Sequence, residues 1–150
     1  MAAGAWKVYG NAVEKIADGT IDLDTDTFRM VLLTSAYTPN QSTHTAWSNV
    51  STAEVSGTGY DANGKLITQS VSRSNLVVTF NCDDQSWPSS TITTKYAVIV
   101  RDADGDGTLV AGDLLLCYSD LDTGGGSLST VDGTFSVSIN ESGVFTITAS

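Results

Sequence analysis

The sequence predicts an all-β fold, an antiparallel β-sandwich or jelly-roll-like single domain over residues 1–150 opened by a helical segment over residues 1–19. Three observations predict it. Short apolar segments, about seven or eight of them, recur after residue 27, and several alternate with hydroxyl residues at a period of two. Turn signals rich in Gly, Asn and Asp separate them at regular intervals. The chain carries 14 Gly and only 2 Pro, a balance that suits strands and tight turns.

The opening is the exception to the β pattern. Trp6, Tyr9, Val13 and Ile16 follow helical spacing over residues 5–17, with Lys7, Asn11 and Glu14 elsewhere on the wheel. Asp18-Gly19 supplies the stop. Residues 27–34 read as a buried strand, with Phe28, Met30 and Leu32 on one face and Val31 and Leu33 on the other; the helix is expected to cover one of these faces. A long connection follows, with a short helix expected inside residues 45–55 on Ala46, Trp47, Val50 and Val55.

Residues 65–71 and 75–81 form an expected hairpin, with Leu76, Val78 and Phe80 turned inward. Residues 91–101 and 113–121 flank an acidic loop, and Gly124-Gly125-Gly126 breaks the chain after them. Phe135, Val137 and Ile139 alternate with Ser136 and Ser138 and are expected to turn back at residues 140–143 into 144–148 as a terminal hairpin. The expected core comprises Phe28, Met30, Leu32, Val98, Val100, Leu116, Phe135, Val137, Ile139 and Phe145.

Composition bounds the function. Hydrophobic residues at 41% and charged residues at 16% describe a globular chain with a real core. Seventeen acids against seven bases leave a net charge of −10, with no Lys/Arg cluster, so contact with a phosphate backbone is not expected. No apolar run has the length of a membrane span, and residues 1–7 lack the apolar region of a signal peptide, so folding in a cytosol is expected. Cys82 and Cys117 each sit by an apolar run and read as buried free thiols.

The acidic loop is the one segment with recognisable site chemistry. Asp102-Ala103-Asp104-Gly105-Asp106-Gly107, closed by Asp113 at the twelfth position, fits a calcium-loop pattern at every acidic position and at the glycine. Carboxylates on alternate residues can converge on one hard cation, and the glycine allows the turn. The expected ligands are Asp102, Asp104, Asp106, the Thr108 carbonyl and Asp113, and the expected ion is Ca2+. Strand-like flanks place the loop on a β-hairpin, where an ion serves structure rather than a helix-opening switch. The same residues are also the commonest ones in plain hairpin turns, and Asp113 has a shorter arm than the usual closing Glu.

No catalytic residue is expected. His44 is the one histidine, set among polar residues, and no Ser or Cys lies in a nucleophile motif. Asp22, Asp24 and Asp26 alternate before a strand and admit a second cation cluster or a glycosidase-like acid pair, though a solvated strand entry is the commoner fate. Asp83-Asp84 reads as a turn. Trp47, Tyr60 and Trp87 fall in expected loops, where rings either stack on sugars or pack inward.

The order of segments carries a further signal. Trp6-Lys7-Val8-Tyr9, then Glu14 to Gly19, then Ile21-Asp22-Leu23-Asp24-Thr25-Asp26-Thr27-Phe28 are followed by Leu33-Thr34-Ser35-Ala36-Tyr37-Thr38-Pro39-Asn40. Later come Tyr96-Ala97-Val98-Ile99, Leu115-Leu116-Cys117-Tyr118 and Asp120-Leu121-Asp122-Thr123-Gly124-Gly125-Gly126. Over nearly its full length this resembles small virion structural proteins of tailed bacteriophages. The resemblance implies a non-enzymatic capsid decoration (cement) protein, assembled in the host cytoplasm and located in the virion. Its implied partners are the major capsid protein or other virion proteins, within a symmetric assembly in which the chain is itself a homo-oligomer. Neither nucleic acid nor membrane is an expected partner. Trp6 and Tyr9 are the candidate interface residues, although a helix packed on its own sheet accounts for them equally. A tail-tube, head–tail joining or tail-fibre protein is the alternative within the virion, and a calcium-supported carbohydrate-binding module the alternative outside it.

Overall fold

The computed structural model describes residues 3–150, and within them the fold is all-β, built from antiparallel sheets with one short α-helix. The N-terminal segment departs from the expected helix. Gly4 N–H donates to the Asp120 carbonyl at 2.6 Å, and Ser119 Oγ donates to the Gly4 carbonyl at 2.7 Å. These bonds lay the chain along a neighbouring strand, so Lys7–Val8 is a strand, β1, and the helix α1 is only Gly10–Ala17. The helical spacing of Trp6 and Tyr9 thus runs across a strand–helix boundary. Ala12 is the buried helical residue, while Val13 is 56% exposed. The stop is as expected: Asp18 caps, and Gly19 takes φ +83°, a left-handed geometry that costs glycine little.

The main sheet has five strands in the order β1-β9-β8-β2-β3, with β2 at Thr27–Leu33, β3 at Lys65–Leu66, β8 at Tyr96–Asp102 and β9 at Leu115–Asp120. β2 pairs with β8 from Thr27↔Asp102 to Leu33↔Tyr96. Met30, Val31, Leu32 and Leu33 are all fully buried, so both faces of β2 are covered, as the unbroken apolar run requires. The helix packs on β9 rather than on β2. One partner across the core is Phe80, whose ring meets Phe28 edge-on at 5.8 Å between centroids. Residues 45–55 hold two 3-10 turns, Trp47–Asn49 and Ser51–Ala53, with Trp47 and Val50 buried.

A second sheet has three strands, β12-β5-β4, with β4 at Gln69–Ser74, β5 at Val77–Cys82 and β12 at Phe145–Thr148. The β4–β5 hairpin turns at Asn75, φ +52°, and leaves Leu76 63% exposed in the turn rather than inward. Two further pairs complete the fold: β6 (Gln85–Ser90) with β11 (Gly133–Val137), and β7 (Thr93–Thr94) with β10 (Leu128–Ser129).

The expected terminal hairpin does not form, because β11 pairs with β6 whereas β12 pairs with β5. Alternation assigns faces, not partners. Its face assignment holds, since Phe135 and Val137 are buried and Ser136 and Ser138 exposed. The partner is chosen at Gly143 and Val144. Gly143, at φ +90°, passes so close to β5 that a Cβ there would meet Thr79 Cγ2 at 2.5 Å, and Val144 N–H donates to the Phe80 carbonyl at 2.8 Å. Eight of the ten expected core residues are buried; Ile139 and Phe145 are half-buried and pack against the others. Among the described residues, no helix is long and apolar enough to cross a membrane.

Candidate metal centre

The acidic segment joins β8 to β9, as its flanks predict. Asp102 is the last residue of β8 and is buried, because it pairs with Thr27 inside the sheet. Its two carboxylate oxygens accept N–H bonds from Gly105 at 2.9 Å and Gly107 at 3.0 Å. Both glycines have positive φ, +69° and +90°, which wraps the loop back over Asp102. Asp106 accepts from Thr108 N–H at 2.8 Å, a local turn typical of Asp. The result is that Asp102, Asp104 and Asp106 each offer a carboxylate oxygen within 4.8 Å of the others, with Asp104 and Asp106 open to solvent.

Asp113 stands outside this convergence. It is buried, and its oxygens accept from Ala103 N–H at 3.2 Å and Val110 N–H at 2.8 Å. The short side chain that fits the twelfth position ties both ends of the loop together instead of reaching the other three acids. Thr108 is placed by its N–H bond to Asp106. The loop is also braced from outside, since Leu109 N–H donates to Asn63 Oδ1 at 3.1 Å and Arg29 holds the Asn63 and Gly64 carbonyls. Three convergent oxygens on a braced turn could hold a hard cation.

The candidate interface residues part company. Tyr9 is fully buried, its hydroxyl 2.7 Å from that of Tyr37, and burial pushes its pKa well above the ordinary tyrosine value. It anchors the N-terminal segment to the core and is not on the surface. Trp6 is half-buried and lines a cleft of about 650 Å³ with residues 137–140 and 142–144.

The other candidates resolve into structure. Trp47, Tyr60 and Trp87 are all buried, and Trp87 lies within β6, stacked near Tyr60 at 6.1 Å; none presents a ring for a sugar. Asp22 and Asp26 close the loop before β2, Asp22 accepting from Asp24 and Thr25 N–H and Asp26 pairing with Arg101. His44 Nδ1 lies 3.0 Å from the Tyr37 hydroxyl. Cys82 and Cys117 are free and buried, and burial pushes the Cys82 thiol up to about 12.

One carboxylate emerges only in three dimensions. Glu54 accepts from the Tyr60 hydroxyl at 3.0 Å and from Asn63 N–H at 2.6 Å, and burial raises its pKa despite those bonds. No local signal distinguishes it, because its partners lie six and nine residues away. It braces the turn that in turn braces the acidic loop.

The fold and the loop define a class: an all-β protein of antiparallel sheets with a candidate cation site on a β-hairpin. No protein-family model matches the chain, and neither does any curated protein or solved structure.

Proposed function

We propose that the chain is a non-enzymatic structural component of a tailed-bacteriophage virion, most simply a decoration (cement) protein bound to the outer shell. The observation that carries this reading is where the resembling segments lie. Lys7 and Val8 are β1, residues 27–28 open β2, residues 96–99 belong to β8 and residues 115–118 to β9, and these four strands are neighbours in one sheet. The strand parts of the resemblance thus fall in one sheet, while residues 21–26, 34–40 and 121–126 lie in the connections beside it. The finer architecture belongs to the same proposal: a sandwich of jelly-roll type, supported by the Phe28–Phe80 contact between the five- and three-stranded sheets.

The surface chemistry is compatible with a shell exterior. A net charge of −10 disfavours packaged DNA and favours solubility. Cement action is mass action: a protein that binds assembled lattice better than free subunits shifts the balance toward the shell, and equal affinity shifts nothing. The implied partner is the major capsid protein, and Trp6 is the remaining aromatic candidate for that contact. The acidic hairpin holds Ca2+ through Asp102, Asp104 and Asp106, stiffening one end of the β8–β9 pair.

Particles assembled without the protein test the reading. They are expected to lose resistance to heat while keeping tails of normal length, and labelled protein is expected on the head. Label on the tail overturns the cement role and leaves a tail component. Label absent from purified particles overturns the virion reading altogether.

A further inference from the structure

We propose that Asn63 is a site of spontaneous covalent modification, converting to aspartate and isoaspartate when the turn over residues 61–64 opens, and that the folded turn holds the reaction shut. Of the asparagines in the chain, only Asn63 precedes a glycine. The chemistry is attack by the Gly64 backbone nitrogen on the side-chain carbonyl carbon of Asn63. A new C–N bond closes a succinimide ring, the Gly64 nitrogen gives up its proton, and the side-chain nitrogen leaves as ammonia. Water then opens the ring at one carbonyl or the other, giving aspartate or isoaspartate. No oxidant, reductant or enzyme takes part. Glycine permits the attack because no side chain shields its nitrogen.

The fold engages each group that must move. Gly64 N–H, the proton to be lost, donates to the Asp61 carbonyl at 3.1 Å. Asn63 Oδ1 accepts from Leu109 N–H at 3.1 Å, which pins the side chain to the acidic loop, and Asn63 N–H donates to Glu54 Oε1 at 2.6 Å. Arg29 Nε and Nη2 donate to the Asn63 and Gly64 carbonyls at 2.9 and 3.0 Å. Gly64, buried and at φ +65°, lies so close to β2 that a Cβ there would collide with the Met30 carbonyl. Ring closure requires rotation about both the Cα–C and Cα–Cβ bonds of Asn63, and these contacts oppose both. The product does not fit the same turn. Isoaspartate routes the backbone through the former side-chain carbon, adding a main-chain atom where Gly64 abuts Met30. A turn that has reacted once therefore cannot close as before, and the brace on the acidic loop is lost with it.

This inference depends neither on the virion reading nor on a bound cation. The full chain, native and in guanidinium chloride, is aged in one mildly alkaline buffer, and its peptides are mapped by mass and retention at intervals. Asn63 is expected to convert in the unfolded chain and to convert at least about tenfold more slowly in the native one, the ratio being set by how rarely the turn opens. Asn75, exposed and also at positive φ but followed by Leu76, is expected to remain an amide over the same period. Glu54→Ala removes the acceptor for Asn63 N–H and is expected to speed native conversion severalfold, whereas Glu54→Gln keeps an acceptor oxygen and is expected to hold the wild-type rate. The purified isoaspartate form is expected to melt below the wild type. No conversion in the unfolded chain, equal rates in the native and unfolded chains, or a folded Glu54→Ala that converts no faster than wild type overturns the proposal. If Glu54→Ala does not fold, the comparison of native with unfolded wild type decides alone.

Discussion

Phe80 sits at a junction of the molecule, edge-on to Phe28 across the sheets and stacked on Phe145 at 5.1 Å within its own. Phe80→Ala is expected to cost about 3–5 kcal/mol, lost transfer energy plus an unfilled cavity, measured as a fall in the denaturant midpoint at unchanged slope. Glu54 makes an opposite case. Its raised pKa means the folded state binds the proton more tightly than the unfolded chain, so its contribution is fully present below the ordinary Glu value and is lost as pH rises through the folded value. Glu54→Gln keeps an oxygen for Tyr60 and for Asn63 N–H without the buried charge. The variant is expected to melt higher than wild type at pH 7, with the gap closing as the pH falls below about 4.3; an equal gap at both ends would show that charge is not the cause. At the acidic loop, Asp104→Asn and Asp106→Asn change exposed carboxylates without touching the core. Chelator-stripped wild type is expected to bind Ca2+ with measurable heat and a raised melting temperature, and either variant to lose most of that heat. No heat from wild type leaves a turn closed by its own backbone bonds.

At the scale of the element, the terminal segment shows how a strand finds its partner. Gly143→Ala forces a Cβ against Thr79 and the Phe80 carbonyl at a positive φ, and is expected to cost at least about 1–3 kcal/mol, with earlier hydrogen exchange of β12 amides than of β8 amides. Gly19→Ala, at a comparable φ but with nothing within 4 Å, is expected to cost only about 1 kcal/mol from backbone strain alone. The contrast separates conformational strain from steric collision. The same element explains why residues 135–148 mislead when read locally. The alternation of Phe135 to Ile139 and the turn at residues 140–143 are real, but β11 pairs with β6 and β12 with β5, partners that alternation does not name. The acidic loop, by contrast, was legible because its geometry is local: Asp102, Asp104 and Asp106 meet through bonds spanning two to five residues. Asp113 lies apart from the three-acid cluster with its oxygens engaged by backbone N–H groups, and a spacing pattern states which residues can converge, not which are so engaged.

For the whole molecule, the cement reading makes a further demand: binding to assembled shells must exceed binding to free subunits, with the difference read as sedimentation of labelled protein with heads but not with unassembled subunits. The sequence by itself determined the β class, the β8–β9 hairpin, the doubly buried β2, the helix stop at Asp18-Gly19 and the convergence of three acids. Each of these rests on interactions between near neighbours or on periodicity, which a one-dimensional string records. Only the tertiary structure decided that residues 7–8 form a strand on β9, that Tyr9, Tyr60 and Trp87 are core, that β11 and β12 separate, and that Glu54 is a buried brace. Those outcomes depend on which distant segment supplies the partner for an edge, a ring or a carboxylate. That choice is made by burial and hydrogen-bond satisfaction summed over the whole fold, and no local pattern contains it.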